Sequence, residues 1–241
     1  MNKHKVGKLR VTKIILLHPN WFFSFVKNGS FSDIPKRYIY KLLPKNPTII
    51  EAGCADGSDT IKFGKKFIDG RIYGFEPLPH LYEIAKENTK SFENVKIFKY
   101  ALGDEDNKIL ELFTGSPDNV HHSSSLLKPT NHLEIFPDIN FLNSVNVETI
   151  TLRKVIKDFD IKKIDLLWLD LQGFELKVLA ADIKILTKIR FIHLEAHLVE
   201  LYDGAPLINE VITFMNKNNF KCIKKRIPFV SGNMIFKNNN Y

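Results

Sequence analysis

Thr48-Ile49-Ile50-Glu51-Ala52-Gly53-Cys54-Ala55-Asp56-Gly57, followed by Gly74-Phe75-Glu76-Pro77, decides the fold of this 241-residue chain. The first stretch is an apolar run ending in a glycine-containing turn, and the second is an apolar run ending in an acid. A strand, a tight turn, a helix and a second strand closed by a carboxylate make the nucleoside-binding half of a doubly wound α/β sheet, in which the acid meets the ribose hydroxyls. Nineteen positions separate Gly57 from Glu76, close to the roughly 20 expected of a ribose-binding acid.

Charge distinguishes the nucleosides such a turn can serve. A dinucleotide site usually reads Gly-x-Gly-x-x-Gly, so that backbone amides reach the pyrophosphate. Here the turn offers Gly53 and Gly57, with Glu51 and Asp56 beside them. Two carboxylates repel a pyrophosphate and attract a sulfonium or an ammonium. The turn therefore favours S-adenosylmethionine over NAD.

Outward from this unit the chain alternates strand and helix. Strands are expected at 48–52, 71–75, 95–100, 164–169 and 191–194, with late strands at 220–225 and 232–236. Ile164 to Leu169 is nearly all apolar, as a central parallel strand covered on both faces must be. Ser58 or Asp59 can cap a helix running to about Phe67, and Pro79 suits the first position of the next. Leu152, Val155, Ile156 and Phe159 form the stripe of a core-facing helix, and a further helix is expected from Pro206 to about Asn218. The expected fold is α/β: a doubly wound, mostly parallel sheet with late antiparallel strands. Between Gly115 and Val145 the sequence turns polar and proline-punctuated, including His121, His122, Pro117, Pro129 and Pro137. It reads as a long loop-like insertion, a form that usually serves as a functional lid or is disordered.

Residues 1–45 read as a basic, aromatic extension carrying Trp21, Phe22, Phe23, Phe25 and Phe31, ahead of one domain at 46–241. Those aromatics can pack on the domain, contact a substrate or rest on a membrane surface. Lys3, Lys5, Lys8 and Arg10 before Ile14 to Leu17 superficially resemble a signal peptide, but His18, Pro19 and Asn20 interrupt the apolar run and no small-residue cleavage site follows. No stretch approaches the 18 apolar residues of a spanning helix. Two cysteines, Cys54 and Cys222, are too few for a disulfide framework, so a reducing, cytoplasmic setting is expected. The net charge of +8 invites an anionic partner, yet the basic residues are spread over helix faces and chain ends, and no nucleic-acid recognition motif accompanies them.

The chain resembles the FkbM-type family of S-adenosylmethionine-dependent methyltransferases. The resemblance rests on Glu51 to Gly57, Phe75-Glu76-Pro77, Ala101-Leu102-Gly103-Asp104, Ser124-Ser125-Leu126 and Asp170-Leu171-Gln172-Gly173-Phe174-Glu175, and it covers roughly residues 47–200. It implies a Rossmann-like class I methyltransferase fold and O-methylation, commonly of a sugar or another hydroxyl in glycan or natural-product assembly. Two departures stand out. The usual Asp-x-Gly-Ala-Asn is here Glu51-Ala52-Gly53-Cys54-Ala55, with Asp56 in a position to supply the polar contact. The usual Asp-x-Glu-Gly-x-Glu carries Gln172 in place of an acid, and an amide cannot act as a base.

By this resemblance the cofactor set is Glu51, Gly53, Asp56, Gly57, Glu76, Asp104 and Asp170, with Glu76 on the ribose and Asp104 accepting from the adenine amine. Asp170, Glu195 and His197 are the expected catalytic residues, Asp170 first among them as the base, with Glu175 a further acid that suits the first turn of a helix. His193 and Glu195 share a strand face and, with Asp170 and His197, raise a metal reading; no metal is expected. A glycan or small-molecule O-methyltransferase competes with a nucleic-acid methyltransferase, drawn from net charge, and with a non-catalytic cofactor-binding or interaction protein, drawn from Gln172. The acceptor and the oligomeric state are not encoded in spacing.

Overall fold

A computed structural model describes residues 34–116, 123–136, 138–228 and 230–241. The five aromatics of the leading segment, and Pro117, His121, His122 and Pro137, lie outside the described residues.

The central strands form where apolar runs are continuous. These are β1 (Thr48–Ala52), β2 (Arg71–Phe75), β3 (Val95–Phe98), β7 (Ile164–Leu169) and β8 (Ile189–His197). Every residue of β1 and of β7 is buried, as parallel strands covered by helices on both faces require. Two later strands, β9 (Phe220–Arg226) and β10 (Ser231–Asn238), complete a seven-stranded sheet of order β3-β2-β1-β7-β8-β10-β9. All neighbours from β3 to β8 are parallel, and β10 runs antiparallel to both β8 and β9. The expected doubly wound sheet with late antiparallel pairing is what forms.

Helices α1 (Lys36–Leu42), α2 (Ser58–Lys66) and α3 (Pro79–Thr89) are followed later in the chain by α4 (His132–Ile135), α5 (Leu152–Asp158), α6 (Glu175–Ala180), a 3-10 turn (Ile183–Lys188) and α7 (Ile208–Lys217). Helix α1 falls inside the stretch read as an irregular extension. Ile34 and Ile39 are buried with Phe63, Phe67 and Trp168, so the packed domain takes in residues well before position 46. Helix α2 is capped otherwise than expected: Gly57 is its N-cap, and Asp56 accepts hydrogen bonds from the amide and hydroxyl of Ser58.

The stretch read as a loop-like insertion is largely a built structure. Strands β4 (Ala101–Gly103), β5 (Ile109–Ser116) and β6 (Asn140–Thr151) form a second sheet, in which β5 and β6 pair as an antiparallel hairpin. The expected third strand ends at Phe98, and after residues 99–100 the chain enters the second sheet as β4. Residues 123–136 return along β5 through a backbone pair between Phe113 and Ser125 and are laced to the loop after β8, where Leu201 accepts from the amides of Thr130 and His132. Among the described residues, no helix is long and apolar enough to cross a membrane.

Candidate functional site

The carboxyl ends of β1, β2, β7 and β8 carry the residues that the sequence singles out. Gly53 and Cys54 donate their amides to the Phe75 carbonyl, and Asp170 donates its amide to Ala52, which ties the three strand ends together. Gly53 sits at φ +79°, and a Cβ there would lie 2.2 Å from the Asp170 carbonyl oxygen. Only glycine allows this approach of β1 to β7. Ala55 also adopts a left-handed conformation, at φ +47°, which turns its amide toward Glu76.

Two clefts meet here. The first, about 680 Å³ including its open mouth, runs from Gly53, Ala55 and Glu76 across the apolar side chains of Leu78, Leu81, Leu102, Leu112, Leu126 and Phe174 to Asp170. The second, about 1450 Å³, shares Gly53, Ala55, Asp170 and Gln172 with it and extends past Glu51, Asp56, Asp59, Glu195, Trp168 and His132. Asp170 lies on the seam.

Glu76 is 5% exposed, and its two oxygens accept from the amides of Ala55 and Leu78 at 2.9 Å each. Burial raises its pKa to about 7 against the pull of those amides. A carboxylate oxygen has capacity for a second donor, so Glu76 can accept from a hydroxyl entering this apolar cleft. Glu51, 2% exposed, accepts from the Thr60 hydroxyl at 2.6 Å, and burial raises its pKa to about 8. It therefore carries a proton near neutrality, so its expected attraction for a cation requires ionisation first. Asp56 lines the second cleft while accepting from the amide of Ser58, and Gly57 sits at φ +78° behind the turn.

Asp104 is not brought to this site. Strand β4 stops at Gly103 and the chain bends away, leaving Asp104 exposed along a separate groove with Glu105, Asp106 and Arg153. Its motif neighbours Ala101 and Leu102 line the first cleft instead.

The part of the second cleft next to Asp170 is built around Gln172. Its Nε2 donates to Asp170 Oδ1 at 2.8 Å and to Glu195 Oε2 at 2.6 Å. The Tyr202 hydroxyl shares its proton between Gln172 Oε1, at 3.1 Å, and the Ser123 carbonyl, at 2.8 Å. Ser125 Oγ donates to the Gln172 carbonyl at 2.9 Å. Gln172 and Gly173 are both left-handed, at φ +51° and +100°.

Strand β8 extends to His197, beyond the strand end expected from sequence, which puts His193, Glu195 and His197 on one strand face. His197 Nε2 lies 3.6 Å from Glu195 Oε2, an ion-pair separation too long for a hydrogen bond. Burial opposes its protonation, but Glu195, Glu175 and Asp170 raise its pKa. Burial works against the ionised form of Glu195 as well, and His197, Ser231 and Gln172 prevail and lower its pKa. His197 is buried and does not line either cleft, so it acts on the site through Glu195.

His193 stacks on Trp168 with ring centroids 3.7 Å apart, and burial lowers its pKa to about 3. It is a packed, neutral ring. Glu175, 2% exposed, accepts from the Leu171 amide at 2.9 Å and so braces the 170–175 turn from behind rather than lining either cleft. Among the described residues, no group of three or more His, Cys, Asp or Glu is placed to hold a metal ion. Sequence reasoning missed Trp168 and Tyr202, because an aromatic residue on a strand or loop reads as core, and His132, because it lies in the stretch read as a polar insertion. Ser125 lay within a quoted motif, but its partner 47 positions away left no trace in spacing.

A family model described as the methyltransferase FkbM domain matches residues 51–222. The 2-O-methyltransferase NoeI of Sinorhizobium fredii is 30% identical over 206 residues, covering 84% of this chain and 84% of that protein. Methyltransferase sdnD of Sordaria araneosa is 26% identical over 186 residues, covering 62% of this chain and 70% of the other. A solved SAM-dependent methyltransferase from Aquifex aeolicus aligns with a TM-score of 0.45 at 12% identity, over 85% of this chain and 89% of that one.

Proposed function

The chain belongs to the FkbM family of S-adenosylmethionine-dependent methyltransferases, and from that premise we propose that it methylates a hydroxyl of an uncharged sugar, glycan or comparable small molecule. The observation that carries this reading is the joined pair of clefts, with Asp170 on the seam and Glu195 facing the larger one. A relative named for 2-O-methyl transfer supports an oxygen as the methyl's destination.

When bound, the cofactor supplies a sulfonium methyl. The residues that would hold it are Glu76 on the ribose hydroxyls, the leucines and Phe174 around the base, and the turn at Gly53 and Ala55 beside the amino-acid portion. Asp170 would touch both cofactor and acceptor. A carboxylate at that seam, with Glu195 beside it, accepts the proton that an acceptor hydroxyl loses as its oxygen is methylated. Much of the rate comes from holding the oxygen in line with the transferable methyl. Trp168 and Phe136 give the second cleft apolar surface for a sugar ring, and its carboxylates accept from ring hydroxyls.

A polyanionic acceptor fits this cleft poorly. Glu51, Asp56, Asp59, Asp170 and Glu195 line it, and no Lys or Arg does so among the described residues. Among the described residues this cleft offers no cation to pair with a phosphate backbone, which counts against the nucleic-acid reading.

Incubation with isotope-labelled S-adenosylmethionine and a panel of neutral glycosides, uronic acids, sugar phosphates and RNA tests the proposal by mass spectrometry. O-methylated neutral glycosides are the expected products. Methyl transfer to RNA or to phosphorylated sugars in preference would overturn the acceptor class.

A further inference from the structure

Glu195, Asp170 and Gln172 come from two elements, the end of β8 and the turn after β7, and meet at the floor of the acceptor cleft. Two carboxylates this close repel one another unless a donor lies between them. A shared proton can serve, at the expense of neutralising one base. Here the donor is neutral: Gln172 Nε2 has two hydrogens and gives one to each carboxylate. The amide can do this in one orientation only, and Tyr202 fixes it by donating to Oε1. The bond from Ser125 to the Gln172 carbonyl holds the backbone in its left-handed turn.

We propose that Gln172 is a positioning residue whose amide clamps Asp170 and Glu195 side by side as ionised carboxylates facing the acceptor. The inference rests on the proposed acceptor cleft, and it gives the family departure at this position a purpose. An acid here would have to borrow a proton to make either bond and, with a single proton, could make only one of them. The amide makes both at any pH. The pair thereby stays available to take a hydroxyl proton across the range in which a third acid would be titrating.

The charged and titratable groups around Glu195 are His197 on its own strand, Asp170 and Glu175 from the β7–α6 segment, Tyr202 from the loop after β8 and His132 from α4. His197 holds Glu195 ionised in common with the amide, so removal of the amide shifts the pair without abolishing its charge.

Site-resolved carboxyl ¹³C NMR titration of the wild-type protein, Q172M and Q172E, each with S-adenosylhomocysteine present and absent, tests the clamp without an acceptor. In Q172M, whose side chain is of similar length and leaves the backbone bond to Ser125 in place, Glu195 should titrate at higher pH than in the wild type. In Q172E one carboxyl of the three should keep its proton at least one pH unit above the wild-type pair. The kcat of Q172E on a neutral glycoside should then gain a pH-dependent limb absent from the wild type. Should Q172E not fold, Q172M and Tyr202→Phe carry the test, the latter with a smaller shift in the same direction. Unchanged titration of Asp170 and Glu195 in the folded variants would overturn the clamp. Lack of turnover by the wild type on every neutral glycoside would instead count against the acceptor class and leave the titration result to stand.

Discussion

Ala55, held at φ +47°, donates its amide to Glu76 Oε2 at 2.9 Å. The bond crosses from the turn after β1 to the end of β2, so the conformation of the turn and the orientation of the Glu76 carboxylate are one feature. An alanine in the left-handed region is strained by about 1 kcal/mol or more, and the bond to a buried carboxylate offsets that cost.

Cofactor binding should release protons. Unliganded Glu76 titrates at about 7 and Glu51 at about 8, both raised by burial. Ribose hydroxyls and a nearby ammonium favour the ionised forms, which lowers both values in the complex. Affinity for S-adenosylhomocysteine should therefore rise between pH 6 and 8. Calorimetry in two buffers of different ionisation enthalpy measures the release directly; equal apparent enthalpies would show that neither acid is linked to binding.

Glu51→Gln should stabilise the unliganded protein at alkaline pH. A Glu whose folded pKa is raised to about 8 contributes stability that is present below its unfolded value and is lost as pH rises through the folded one. Glutamine keeps an acceptor for Thr60 and never ionises. The melting temperature of the variant should exceed that of the wild type by a margin that grows from pH 6 to 9, and a constant difference across that range would contradict the assignment.

Asp170→Asn should lower kcat by about 10²–10⁴-fold, the usual worth of a general base. S-adenosylhomocysteine affinity should change only a few-fold, since Glu76 and the apolar slot remain. Parallel losses in turnover and affinity would make Asp170 a cofactor-binding residue alone.

Gly53→Ala should destabilise the fold by about 1–3 kcal/mol through its left-handed backbone, before the clash of the new Cβ with the Asp170 carbonyl at 2.2 Å. Because that clash spreads β1 from β7, cofactor binding should weaken in step with stability. A variant of wild-type melting temperature would mean that the two strand ends are not locked together.

The central sheet was legible because burial on both faces demands unbroken apolar runs, and β1, β2 and β7 fall on the residues that such runs mark. The β5–β6 hairpin was not, since Asn140 to Ser144 form a largely exposed strand in which Asn140, Asn143 and Ser144 break the apolar pattern. Helix α1 was hidden by its setting among basic and aromatic residues, although Ile39 is fully buried. In the site, strand-end acids could be found from position along the chain, and Glu51, Glu76, Asp170 and Glu195 all line the clefts. Asp104 shows the limit of that rule: a strand end marks a place on a sheet, and β4 belongs to the smaller one. The contacts of Gln172 with Glu195 and Tyr202 join residues 23 and 30 positions apart, and no periodicity encodes them.

The seat of the cofactor between Glu76 and Asp170 is tested most directly by calorimetric titration of S-adenosylhomocysteine into the wild-type protein and Glu76→Ala side by side. Saturable binding by the wild type, weakened in the folded variant by about 1–3 kcal/mol, the cost of leaving polar partners unsatisfied, is the expected result. Equal affinity in the two proteins would remove Glu76 from the site and with it the placement of the cofactor in this cleft.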